Sequence, residues 1–418
     1  MKEKLFTKNF TLLVFGQVSS LFGNYILRLA LSMYVLEIIG SAAVFAGILS
    51  AAAIPTILLS PLGGILADRV DRRRIMVALD AMTGTAVLCA ALLLTPSRAL
   101  TVIGALLVLL SVFGAFETPT VQACIPSMLT GDNIIRGNAV VNQTASISYL
   151  TAPFLGGILY AAFGLKPVMY ASVLCFFITA LSECFIRLDY RPAGFQGNVL
   201  VMVREDFRDS IRFIGRERRD ILRILLLAAL SRFFVMGVTL VGLPYLVRTV
   251  LGLDAKYYGA AESMLAVAVI VGSIAAGVLA GKIKSGGLAL MLSAIGLCMI
   301  PAGLVFLFPV GAVVQYAVLV AAFCGMQAAV SVFSIHAVSM IQQGTPEQMI
   351  GKVMAYTSAI TMCAQPVGQM VYGFLFDGFR EAVYLVLIPT GVIVCGIGMA
   401  ARGTTGSIFD ENRDIRLF

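Results

Sequence analysis

The stretch Gly64–Arg74, GILADRVDRRR, lies between two apolar runs, Ala43–Leu62 and Ile75–Leu94, each close to the ~20 residues that cross a bilayer as a helix. Four arginines and two aspartates within those residues are too costly for hydrocarbon, so the stretch reads as a short loop on one side of a membrane. A fainter copy, Gly277–Lys282 (GVLAGK), closes another apolar run in the second half of the chain. Working outward from this pair, runs of spanning length occur at Asn9–Ile38, Ala43–Leu62, Ile75–Leu94, Ala99–Val121, Asn138–Phe163 and Pro167–Phe185. They recur at Ile224–Val250, Tyr258–Leu279, Ala289–Phe308, Gly311–His336, Val353–Phe376 and Ala382–Met399. Composition agrees: 59% of the 418 residues are hydrophobic and 12% charged, against roughly 25% charged in a soluble domain. The expected fold is an all-α membrane protein of twelve transmembrane helices. The first run is too long, and too polar at Gln17, Asn24 and Arg28, for a cleaved leader, so it is taken as the first span.

The net charge of +8 has its explanation in topology, not in nucleic acid. With Met1 inside, 23 of the 30 Lys and Arg fall on the cytoplasmic side and five outside, leaving Arg28 and Arg232 within spans. Both termini should then be cytoplasmic, in the plasma (inner) membrane. The longest polar stretch divides the spans six and six: residues 1–186 form an N-terminal bundle, 187–223 a linker, 224–401 a C-terminal bundle and 402–418 a tail. Within the linker, Val203, Phe207, Ile211 and Ile214 recur at helical spacing among Arg204, Arg208 and Arg212, which predicts an amphipathic helix over 199–215 on the inner leaflet. Eight cysteines sit in apolar runs without a C-x-x-C, and His336 is the one histidine, so neither a disulfide framework nor a metal site is expected. No phosphate-loop motif is present, which excludes ATP as the energy source; no cofactor is expected.

At an offset of 212 to 214 residues, Gly47 falls on Gly259, Gly137 on Gly351, Pro153 on Pro366, and Leu31–Val35 on Leu243–Val247. Two six-span bundles of like orientation, related by an axis along the membrane normal, enclose a central cavity between them, which is a transporter's architecture and not an enzyme's. Polar residues at helical spacing should line that cavity or hydrogen-bond helix to helix: Gln17, Ser20, Asn24 and Arg28; Asn142, Ser146 and Tyr149; Gln327 and Ser331; Gln365 and Gln369. Arg232 and Arg28 would neutralise a carboxylate or bind an anionic substrate. Asp80, Glu117 and Glu262 are acids inside spans 3, 4 and 8; an apolar medium disfavours the charged form of an acid, which suits such groups to proton coupling. A fixed ion pair with the loop arginines is the structural alternative for Asp80.

These residues also carry a resemblance. Gly64, Asp68, Arg69, Arg72 and Arg73 resemble the G-x-L-A-D-R-x-G-R-K/R loop signature of the major facilitator superfamily, with Asp71 where glycine is usual. Ala152, Pro153, Gly156 and Gly157 resemble the G-P-x-x-G-G signature of that superfamily's antiporters. Phe116–Pro119 with Ile125 and Pro126, Arg73–Met76 leading to Asp80, and Ile147–Tyr149 before Pro153 are similar to its macrolide-efflux branch of drug:proton antiporters. The resemblance implies a gating role for the loop, with Asp68 at a helix N-terminus or paired to arginine and the basic run on acidic groups or lipid headgroups. It further implies a monomeric secondary transporter that exports amphipathic, drug-like small molecules by proton antiport, with substrate, protons and membrane lipids as its partners. The alternatives are a dedicated exporter of a native metabolite, siderophore or lipid, and a non-transporting sensor with a transporter fold.

Overall fold

The computed structural model describes residues 5–188, 218–279, 287–346 and 349–414. Those residues form helices α1 (Lys8–Ile39), α2 (Ala42–Arg69), α3 (Arg72–Leu93), α4 (Ala99–Met128), α5 (Asp132–Phe163) and α6 (Leu165–Cys184). After the linker come α7 (residues 219–250), α8 (Ala255–Leu279), α9 (Gly287–Leu304), α10 (Ala312–Gly344), α11 (Ile350–Gly378) and α12 (Tyr384–Asp414). No strand occurs among the described residues. Eleven of the helices are long and apolar enough to cross a membrane, and α11, 29 residues long, completes the expected twelve. The amphipathic helix expected over 199–215 lies outside the described residues.

Local chemistry sets the helix ends. Thr7 caps α1 by accepting from the Phe10 amide at 3.2 Å, and Ser41 caps α2 by accepting from Val44 at 3.2 Å. Between them Gly40 takes φ +61°, the left-handed conformation that closes a helix and lets the chain turn back within two residues. Asp71 caps α3 by accepting from the Arg73 amide at 3.1 Å. Several helices outrun their apolar spans at the C-terminal end: α4 continues to Met128, α10 to Gly344, and α12 to Asp414 through residues expected to form a tail. A helix satisfies its own backbone, so it need not stop where hydrocarbon does.

Contacts divide the chain into two compact units. One comprises Met1–Phe195 with Val247–Thr249 and Leu253–Ser263; the other comprises Gln196–Leu246, Val250–Gly252 and Met264–Phe418. In the first, Pro119 has no N–H, which leaves the Ala115 carbonyl without its helical donor, and α2 closes onto that carbonyl at Gly63. A Cβ at Gly63 would stand 2.4 Å from the Ala115 oxygen, so only glycine permits the approach. In the second half of the chain, α7 departs from α-helix in two π-helical turns, Val238–Gly242 and Leu246–Val250, around Pro244. Each half of the chain repeats its helix starts, since Ala42 and Ala255, like Ala99 and Ala312, stand 213 residues apart.

Candidate polar site in the membrane interior

The α1 stripe passes from buried to open along its length: Gln17 and Ser20 are buried, Asn24 half-buried and Arg28 exposed. Helical side chains lean toward the N-terminus, and Arg28 Nε accordingly donates to Asn24 Oδ1 one turn back, at 2.7 Å. At the buried end, Ser20 Oγ lies 3.1 Å from Asp80 Oδ1 on α3 and 3.3 Å from Glu117 Oε1 on α4. One hydroxyl hydrogen serves one acceptor at a time, so two acids compete for a single donor. Asp80 is 2% exposed and meets this serine.

A third acid joins them. Glu183, in the last turn of α6, is 1% exposed, and both of its carboxyl oxygens are buried without a hydrogen-bond partner, within electrostatic reach of Asp80 and Glu117. A Cβ at Gly16 would stand 3.1 Å from Ser182 Oγ and 3.2 Å from Thr179 Cγ2, so the small residue on α1 lets α6 close in beside Glu183. Sequence reasoning passed over Glu183 because an acid two residues from the end of a span reads as interfacial. The signals that would find it are an acid at the negative end of a helix dipole and a glycine on α1 that admits the close approach. About one turn along the same helices, Phe10, Leu13, Met76, Val121, Cys124, Ile125, Leu129 and Ile186 form a buried apolar cluster.

The loop signature serves as a brace within this unit. Arg72 donates to the carbonyls of Ala67 and Ala123, both at 2.9 Å, and to Ser127 Oγ, while Arg73 donates to the Cys184 carbonyl. The Ala67 and Cys184 carbonyls lie in the last turns of α2 and α6, where cations complement the dipoles. Asp68 lies in the last turn of α2, so the acid at a helix N-terminus is Asp71 and not Asp68; the side chain of Asp68 lies outside the described residues, and Gly64 beside it is helical. Arg69 is exposed.

In α5, Asn142 and Ser146 are exposed and Tyr149 packs edge-on against Tyr25, ring centroids 5.5 Å apart. Pro153 denies the Tyr149 carbonyl its helical donor, and beyond it Gly156 rests on the Ile26 backbone of α1. Gly157 faces Ala255–Gly259 of α8, with 2.7 Å from its would-be Cβ to the Ala255 oxygen. In the same unit Glu262 accepts from Tyr258 Oη at 2.9 Å, and Glu37, which sequence reasoning also missed, accepts from Tyr160 Oη at 2.9 Å and pairs with Arg248 at 3.0 Å. In the second unit Arg232 Nη2 donates to Gln365 Oε1 at 3.3 Å, while its Nε is buried without an acceptor. Ser331 bonds helix to helix, to Ser273 Oγ at 2.8 Å and to the Val269 carbonyl at 3.1 Å; Gln327 and Gln369 are buried.

Known proteins fit this geometry. Residues 13–369 match the sequence profile described as Major Facilitator Superfamily. Macrolide efflux protein A of Streptococcus pyogenes is 23% identical over 388 residues, which cover 91% of this chain and 92% of that protein. The multi-drug resistance efflux pump PmrA of Streptococcus pneumoniae is 29% identical over 186 residues, covering 41% and 45% of the two chains. A mutant of the peptide transporter POT superposes with a TM-score of 0.76 over 96% of this chain and 95% of that one; at 15% identity the likeness concerns fold alone.

Proposed function

The chain belongs to the major facilitator superfamily, and from that premise we propose that it exports amphipathic small molecules, macrolide-type drugs among them, in exchange for protons by alternating access. It is an integral membrane transporter and not an enzyme. The near full-length similarity to macrolide efflux protein A supports the substrate class. One observation carries the coupling: Asp80 and Glu117 meet at the single hydroxyl of Ser20 in the interior of a membrane bundle. Such a site is expensive to bury and contributes little to packing, so its use is ionic. Glu117 takes a proton from one side and releases it to the other, and that exchange drives substrate outward. Asn24, Arg28, Asn142, Ser146 and Tyr149 present the polar wall to substrate in this scheme, and Glu262 is a second proton carrier. Gly64, Asp68 and Arg69 act in gating, with Arg72 and Arg73 as the brace behind them. The chain works as a monomer in the plasma membrane, both termini inside, as the 23 to 5 charge bias supports.

Purified protein in proteoliposomes tests this. An imposed pH gradient should drive a labelled macrolide uphill, and Glu117→Gln should bind the macrolide yet lose uphill transport while retaining downhill exchange. Unchanged uphill transport by Glu117→Gln would refute the role of Glu117. Absence of pH-driven transport in the parent protein would refute the proton-coupled reading itself. A second reading, transport of an anionic metabolite, is favoured by Arg232, a membrane-interior guanidinium held by the Gln365 amide and carrying an orphan Nε. Competition by carboxylate-bearing compounds, lost in Arg232→Gln, would distinguish it.

A further inference from the structure

We propose that Glu183 is a third proton-exchanging carboxyl of the first unit, holding one proton in common with Asp80, so that the site at Ser20 is a three-acid relay reaching from α4 through α3 to α6. The proposal deepens the proton-coupled reading and rests on it. Both oxygens of Glu183 are buried without a hydrogen-bond partner, within electrostatic reach of the Asp80 and Glu117 carboxyls. Two carboxyl groups are acceptors only when ionised, and they hold together when one supplies an O–H to the other. The Ser20 hydroxyl is already divided between Asp80 and Glu117. A bare carboxylate at Glu183 would also meet the negative end of the α6 dipole.

The other groups around the site leave that proton in place. On α1, Arg28 bears on Glu117 and bonds Asn24, and Gln17 keeps a buried Nε2 without an acceptor. On α3, Arg73 bonds the carbonyl of Cys184. On α4, Cys124 is buried among apolar side chains, with Arg72 and Asp71 nearby, and Arg72 bonds the carbonyls of Ala67 and Ala123. On α6, Ser182 donates to the Thr179 carbonyl. Among the described residues no group of His, Cys, Asp or Glu side chains could hold a metal ion. Transfer is then internal: the O–H of Glu183 breaks as one forms on an Asp80 oxygen, the negative charge moves the opposite way, and the pair's total charge is unchanged. Release of the proton to water leaves the pair one unit more negative, and uptake from the other side restores it.

Infrared difference spectroscopy on the full chain in lipid vesicles, between two pH values, reads the shared proton directly. A protonated-carboxyl C=O band that titrates in the parent should be lost in Glu183→Gln and in Asp80→Asn, retained at a shifted frequency in Glu183→Asp, and unchanged in Glu37→Gln, whose acid is paired with Arg248. In the same vesicles each coupled proton multiplies the limiting substrate ratio by about ten per pH unit, so Glu183→Gln should lower that ratio about tenfold with macrolide affinity retained. A parent that exports on a pH gradient beside a Glu183→Gln variant with the same band and the same limiting ratio overturns this proposal and spares the coupled reading. A Glu183-dependent band in a parent without pH-driven export overturns the coupled reading and leaves the shared proton standing. If Glu183→Gln does not fold, Asp80→Asn and Glu183→Asp still decide the question, because an intact parent-like band in both contradicts a proton held between the two.

Discussion

Arg72 joins carbonyls of two helices that are far apart in sequence, and a planar guanidinium is the side chain suited to bridging them. Its removal in Arg72→Ala should cost about 1.5–3 kcal/mol, the range for hydrogen bonds to a charged group, read as a lowered unfolding midpoint in detergent. Arg72→Lys should recover less than half of the loss, because one ammonium cannot reproduce the fork; full recovery would mean that charge alone matters. The stripe Gln17, Ser20, Asn24 and Arg28 was legible in the sequence because helical period places its members on one face. Its division into a buried end and an open end was not, since that depends on α3, α4 and α6 closing over Ser20. Glu183 escaped for a related reason: it is buried where α6 closes onto α1 at Gly16, a contact between distant segments. Asp71 looked like a departure from the loop signature, yet its carboxylate caps α3, a role that glycine's missing side chain cannot take.

At the scale of helices, apolar run length gave the number and order of elements, because a membrane span must satisfy its backbone internally and be ~20 residues long. The π-helical turns of α7 were not visible in the apolar pattern, although Gly237, Gly242 and Pro244 in one span were the available signal. Helix pairing in a membrane depends on small residues at close crossings more than on apolar burial. The α2–α4 crossing at Gly63 tests this. Gly63→Ala places a methyl against the Ala115 carbonyl and should destabilise by about 1–3 kcal/mol, the usual cost of overpacking. Gly114→Ala, on α4 where nothing lies within 4 Å of the added carbon, should be neutral within about 0.5 kcal/mol. Equal melting shifts for the two variants would show that the crossing tolerates separation, and that its close approach is incidental.

For the whole molecule the deciding helix is α11, because its crossing fixes the parity of the chain. Ser358, Thr361, Gln365 and Gln369 lower its apolar character, which is why length and composition pick out eleven spans without it. Those residues recur at helical spacing, and the two that bear on the bundle interior behave accordingly: Gln369 is buried and Gln365 holds Arg232. A helix of 29 residues is ~43 Å long, more than the ~30 Å hydrocarbon core requires. Its interior polar stripe therefore does not prevent insertion, since neighbouring helices and not lipid receive it. Lys352 at one end and Arg380 just past the other leave the charge bias at 23 to 5 only if α11 crosses. Reporter fusions separate the outcomes. A fusion after Phe418 should report the cytoplasm, and one at Glu381, between α11 and α12, should report the outside. A cytoplasmic signal at Glu381 with an external one at Phe418 would mean that α11 stays on the inner surface. The second bundle would then have five spans, and the parallel repeat would fail with it.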